Sequence, residues 1–113
     1  MRTVTGNIIL PENAPSVKAG LVLIEVRDVS VADAPSKVVE EQRLTNIMLN
    51  PNGNIAFKLQ VPEVASNRTL VIRAHVSLDG SGKVKSGDLL TTASYPVPTT
   101  GIPPILEIPI VRV

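Results

Sequence analysis

A chain of 113 residues without Cys has the length of one domain and can form no disulfide, thiolate zinc site or cysteine nucleophile. Its 11 basic and 10 acidic residues leave a formal charge of +1, which argues against the clustered basic surface of a dedicated nucleic-acid binder. Aromatic residues are 2% of the chain, Phe57 and Tyr95, so bases and sugars find almost no stacking platform.

Apolar side chains recur with period 2 from end to end, the spacing of strands rather than helices. Thr3 to Leu10 sets Val4, Ile8 and Leu10 against Thr3, Thr5 and Asn7, with Gly6 at a bulge or close-approach position. Leu21 to Val26 buries Val22, Ile24 and Val26, leaving Leu21 and Leu23 on the face that carries Glu25 and Arg27. Lys37 to Leu49 reads as a strand with Val39, Glu41 and Arg43 on one side. Ile55 to Val61 is the clearest case: Ile55, Phe57, Leu59 and Val61 share one face, and Lys58 and Gln60 point to water. Leu70 to Leu78 turns Leu70, Ile72, Ala74, Val76 and Leu78 inward, and its outer face holds Val71, Arg73, His75 and Ser77. A short strand over Leu89 to Thr92 continues past Ser94 towards Val97, and Leu106, Ile108 and Ile110 close the series.

Turn clusters separate these runs, among them Asn50-Pro51-Asn52-Gly53-Asn54 and Asp79-Gly80-Ser81-Gly82. Ten prolines work against any long helix, since each costs a helix interior about 3 kcal/mol. Pro109 lacks a ladder donor, which places the last strand at a sheet edge. The expectation is a single domain over residues 1–113: one antiparallel β-sandwich of about seven strands.

No run approaches the roughly 20 apolar residues of a membrane-spanning helix. The N-terminus, Met1 to Gly6, lacks the apolar segment of a secretory signal. Two locations stay open: the cytoplasm, or the periplasm and outer membrane if a signal was removed upstream of Met1.

Chemistry-bearing groups are sparse. His75, Ser77 and Asp79 fall on one strand face at steps of about 7 Å, too far apart for a hydrogen-bonded triad, so His75 is expected to face solvent or a partner. Gly80-Ser81-Gly82-Lys83 lacks the first Gly and the final Ser or Thr of a phosphate loop, and no helix follows it; it is expected to be a flexible hairpin tip. Asp28, Ser30 and Asp33 offer three oxygens in one loop, short of the six to eight that calcium takes. Asx and hydroxyl turns are the expected use of these residues, and a cation or small-ligand site is the alternative. The apolar residues Leu21, Leu23 and Val71 on outer faces mark a candidate protein-binding surface, unless loops of the same chain cover them. No catalytic residue, metal site or cofactor is expected. The expected partner is another protein, with a homodimer as an alternative.

The run Asp28-Val29-Ser30-Val31-Ala32-Asp33-Ala34-Pro35 resembles the YbaY/YscW-type small lipoprotein family. The same order of features follows: Val4-Thr5-Gly6 before it, then Phe57-Lys58-Leu59, Asp79-Gly80, Leu89-Leu90-Thr91-Thr92 and Tyr95-Pro96-Val97. The resemblance implies a β-sandwich, usually lipid-anchored in the envelope of Gram-negative bacteria. Some members, the type III secretion pilotins, chaperone a secretin to the outer membrane. The chain departs from the family in holding no acylatable Cys, so an anchor would have to lie upstream of Met1, and in a longer polar loop from Asp79 to Asp88.

Overall fold

Gly6 and Phe57 face each other across two neighbouring strands, β1 (Arg2–Ile9) and β6 (Asn54–Val61), which run antiparallel in register from Arg2↔Val61 to Ile9↔Asn54. The phenyl ring lies over the glycine. A Cβ built on Gly6 would stand 2.6 Å from Phe57 Cζ and 2.4 Å from the Leu106 carbonyl oxygen. Close approach, rather than a bulge, is therefore what the glycine provides. The computed structural model describes residues 2–31, 35–62, 68–97 and 105–113.

On its other side β1 pairs in parallel with β10 (Leu106–Pro109), from Gly6↔Leu106 to Ile9↔Pro109, giving a three-stranded sheet in the order β10-β1-β6. Pro109 sits on the edge strand, where its missing N–H costs no ladder bond.

The larger sheet is built on β3 (Leu21–Asp28) and β7 (Leu70–Ser77), antiparallel from Leu21↔Ser77 to Asp28↔Leu70. β4 (Lys37–Leu44) flanks β3, with a register shift at Val26/Arg27. The far side of β7 carries two short strands, β8 (Leu89–Leu90) and β9 (Tyr95–Val97). β11 (Val111–Arg112) adds to β8, so the order is β11-β8-β7-β3-β4 with β9 on β7. A separate pair joins β2 (Lys18–Ala19) and β5 (Ile47–Met48).

The fold is all-β, as the alternation requires. The eight-residue strands β1, β3, β4, β6 and β7 carry it, and the other strands among the described residues are two to four residues long. The run read as one strand from Lys37 to Leu49 is two, broken where Asn46 takes a φ of 55°, a conformation Asn tolerates better than most residues. The run from Leu89 to Val97 likewise divides into β8 and β9. Among the described residues, no helix is long and apolar enough to cross a membrane.

The core lies between the sheets. Val4, Ile8, Ile55, Phe57 and Leu59 reach in from one, and Val22, Ile24, Ile72, Ala74 and Val76 from the other. Burying one such aliphatic or aromatic side chain contributes about 1.5–3 kcal/mol. The seams differ. At one, the backbone amide of Lys58 on β6 donates to Gln42 Oε1 on β4 at 3.3 Å. At the other, a single stretch of chain belongs to both sheets: β10 ends at Pro109, Ile110 is buried with its N–H on the Ile9 carbonyl at 3.2 Å, and β11 begins at Val111.

Candidate functional site

Val71, Arg73, His75 and Ser77 alternate outward along β7 with Leu21, Leu23 and Glu25 beside them on β3. From sequence this face was either an open surface or one covered by loops of the same chain, and half of it is closed. Leu21 is 7% exposed and Val71 9% exposed, Leu23 is half-buried, and Ser77 is buried. The expectation of Leu21 and Val71 as exposed side chains is corrected accordingly. Val71 lies beside Val29 and the segment from Thr91 to Ser94, and at the other end of the strand the cause is the segment after β7, which folds back over Leu21. Gly20 N–H donates to the Leu78 carbonyl at 3.2 Å, and a Cβ on Gly20 would stand 2.7 Å from the Gly80 backbone. Gly82 lies over the end of the Leu21 side chain, 3.8 Å from its nearest methyl to the position a Cβ would take.

Two carboxylates hold that segment down. Asp88 is buried; its Oδ1 accepts the Leu78 N–H at 3.1 Å, and its Oδ2 accepts the Lys85 N–H at 3.1 Å and meets His75 Nε2 at 3.0 Å. Burial pushes the Asp88 carboxyl up, but those three bonds outweigh it and leave it below the usual carboxylate range. Asp79 pairs with Lys85 and also accepts from Ser81 N–H at 2.9 Å and Ser77 Oγ at 3.2 Å. The Lys85 ammonium beside it, followed by the Ser81 amide, holds the Asp79 carboxyl far below the usual range. The loop thus has an internal frame, with Gly80 and Gly82 both at φ +78° as its corners. Its polar bonds replace the flexible tip expected there. His75 belongs to that frame and is mostly buried, which corrects its expectation as a solvated side chain and leaves it lining at most a hollow beside Arg73. Ser77 is bonded to Asp79 and Gly82, so the three residues assemble no nucleophile–base pair.

At the opposite end of β3, Asp28 is spent within the chain. Its Oδ1 accepts Ser30 N–H at 2.9 Å and Ser30 Oγ at 2.6 Å, and its Oδ2 accepts Arg68 Nε at 2.9 Å. The Ser30 hydroxyl and amide, with the Arg68 guanidinium, hold the Asp28 carboxyl down at about 2. Ser30 Oγ in turn accepts the Thr69 N–H at 2.8 Å. These are the Asx and hydroxyl turns anticipated from sequence. Asp33 lies outside the described residues. Among those described, no group of three His, Asp or Glu side chains is placed to hold a metal ion.

What remains open on the face is centred on Arg73. Opposite Ala74 the partner strand leaves β7: β8 pairs with His75 and Val76, β9 with Leu70 to Ile72, and Thr91 to Ser94 arch between them. Thr91 repairs the gap, donating its N–H to the Ala74 carbonyl at 3.0 Å and accepting the Ala74 N–H on Oγ1 at 3.3 Å. The arch leaves a hollow of about 310 Å³ lined by Val29, Val71, Arg73 and Thr91 to Ser94. On the other side lies a second hollow of about 270 Å³, lined by Arg73, His75, Val84, Leu90 and Thr91. Arg73 and Thr91 line both and form the ridge between them. Arg73 was read as an outward side chain but not as a site. Its signal was a lone cation on a central strand, whereas Asp88 and the arch gave no periodic signal at all.

Comparisons with known proteins agree with this architecture. Residues 1–102 match the family described as type III secretion system lipoprotein chaperone (YscW). A solved alternative pilotin from the type II secretion system of Vibrio cholerae is similar over 99% of this chain and 98% of that chain, with a TM-score of 0.70 and 21% sequence identity. At that identity the likeness is one of fold. The chain has no match among curated proteins.

Proposed function

The chain belongs to the YscW family of type III secretion system lipoprotein chaperones, and from that premise we propose that it is a non-enzymatic chaperone that binds a secretin subunit at the bacterial envelope. The observation that carries the reading is the family match over residues 1–102. The structural likeness to a type II pilotin across both chains supports it. The geometry supports it too. The buried polar groups on the face of β3 and β7 serve to hold a loop, and what they leave accessible is a pair of shallow hollows. Such a surface suits recognition of another protein, with Leu23 at its half-buried margin.

The test is capture of the secretin subunit encoded by the same organism, purified and passed over the immobilised protein. Saturable binding is expected, together with loss of outer-membrane secretin multimers in cells lacking the protein. Multimers at normal levels in such cells, with no binding in vitro, would discard the reading.

A further inference from the structure

Arg73 is an exposed cation in the middle of a sheet, and its guanidinium makes no hydrogen bond or ion pair among the described residues. The carboxylate directly opposite in register, Glu25, is already committed: both its oxygens accept from Arg27, at 3.2 and 3.3 Å. Beside Arg73, Thr91 Oγ1 accepts the Ala74 amide and keeps its own O–H to donate. A fork of guanidinium donors next to a free hydroxyl donor fits a carboxylate. Each hollow has an apolar part: Val29 and Val71 in the first, whose lining is otherwise largely polar, and Val84 and Leu90 in the second, which is mainly apolar. Each is at or below the small end of metabolite pockets, which run from about 300 Å³ upward. The size suits single side chains, and one ridge with a hollow on either side suits three consecutive side chains on one face of a peptide.

We infer that the Arg73–Thr91 ridge docks a segment of the partner protein in which an acidic side chain is flanked by two apolar ones, the carboxylate on Arg73 and Thr91 and one apolar group in each hollow. The inference rests on the reading of the protein as a chaperone with a protein partner. Charge complementarity selects the occupant: an apolar peptide without the carboxylate would leave Arg73 desolvated and unpaired, a penalty that rejects it.

The test uses the whole chain and immobilised pools of acetylated, amidated nonapeptides. One pool has Glu fixed at the centre with apolar residues randomised two positions to either side; the others carry Gln or Lys at the centre. A fourth has Gln at the centre and a free C-terminal carboxylate. Wild-type protein is expected to prefer the Glu pool to the Gln pool about tenfold, the size of one charge-assisted hydrogen bond. Arg73→Gln should erase the preference, and Arg73→Glu should shift it to the Lys pool. Equal binding of the Glu and Gln pools, an Arg73→Gln variant that selects like wild type, or a preference for the free C-terminus would each overturn the inference. Secretin capture separates the two proposals. Wild type and Arg73→Glu capturing secretin equally would sink the ridge and leave the chaperone role. Arg73-dependent selection of the Glu pool without secretin capture would do the reverse.

Discussion

His75 Nε2 stands 3.0 Å from Asp88 Oδ2, with the two side chains 11% and 3% exposed, and this contact joins the middle of β7 to the end of the loop that follows it. A lone histidine on a strand face has become one of three donors around a buried carboxylate.

Asp88→Ala leaves the Leu78 and Lys85 amides and the His75 ring without their acceptor. An orphaned buried donor costs about 1–3 kcal/mol, and here three lose one partner. The expected loss is about 3 kcal/mol, or a melting temperature lower by about 10 °C for a domain of this size. Asp88→Asn, which keeps an acceptor oxygen, should lose less. Thermal unfolding followed by circular dichroism reads both.

The acid limb of the stability curve should carry the mark of Asp28. Its carboxyl sits at about 2 in the folded protein against an ordinary 3.8. The unfolded chain therefore binds the proton more readily, and the stabilisation is complete above pH about 4 and fades as pH falls towards 2. Asp28→Asn removes that dependence. Urea midpoints of the variant should change less than those of wild type between pH 4 and pH 2, and parallel curves would refute the assignment.

Gly6→Ala sets a methyl against both the Phe57 ring and the Leu106 carbonyl. Overpacking of this kind costs about 1–3 kcal/mol. Adding Phe57→Leu clears the ring but not the carbonyl, so the double variant should stay below Phe57→Leu alone. Chemical denaturation of the three variants measures this.

Val71 and Arg73 are two residues apart on one strand face, yet they should respond differently. Val71→Glu places a charge at a site 9% exposed and is expected to cost about 3 kcal/mol. Arg73→Glu changes an exposed side chain facing Glu25, a like-charge pair that costs less than about 1 kcal/mol. Melting curves should separate them clearly, and this makes Arg73→Glu a folded probe of the ridge.

Strands such as Ile55 to Val61 were legible because one face is core and the other water, so alternation reports burial directly. Leu21, His75 and Ser77 obeyed the same rule on paper and broke it in space. Period 2 separates two faces but cannot say that a later loop covers one of them. The cover depends on Asp88, an acid whose partners lie in three other places, and no local pattern announces that. The self-satisfied turn at Asp28 and Ser30 was legible because its bonds span two residues. The parallel pairing of β1 with β10 was not, since its partners are a hundred positions apart with no turn between them to read. Arg73 stood in view as a cation; the arch from Thr91 to Ser94 that gives it hollows did not.

The stretch from Leu106 to Arg112 that belongs to both sheets also sets a timetable. β1 precedes the other described strands, but one of its two neighbours is β10, and β8 gains its outer neighbour only in β11. A chain emerging N-terminus first can assemble β3, β4, β6 and β7 into much of the core while its two sheets still lack their shared strand. Closure waits for Leu106 to Arg112, so whatever has folded ahead of them remains an almost complete sandwich with one seam still open.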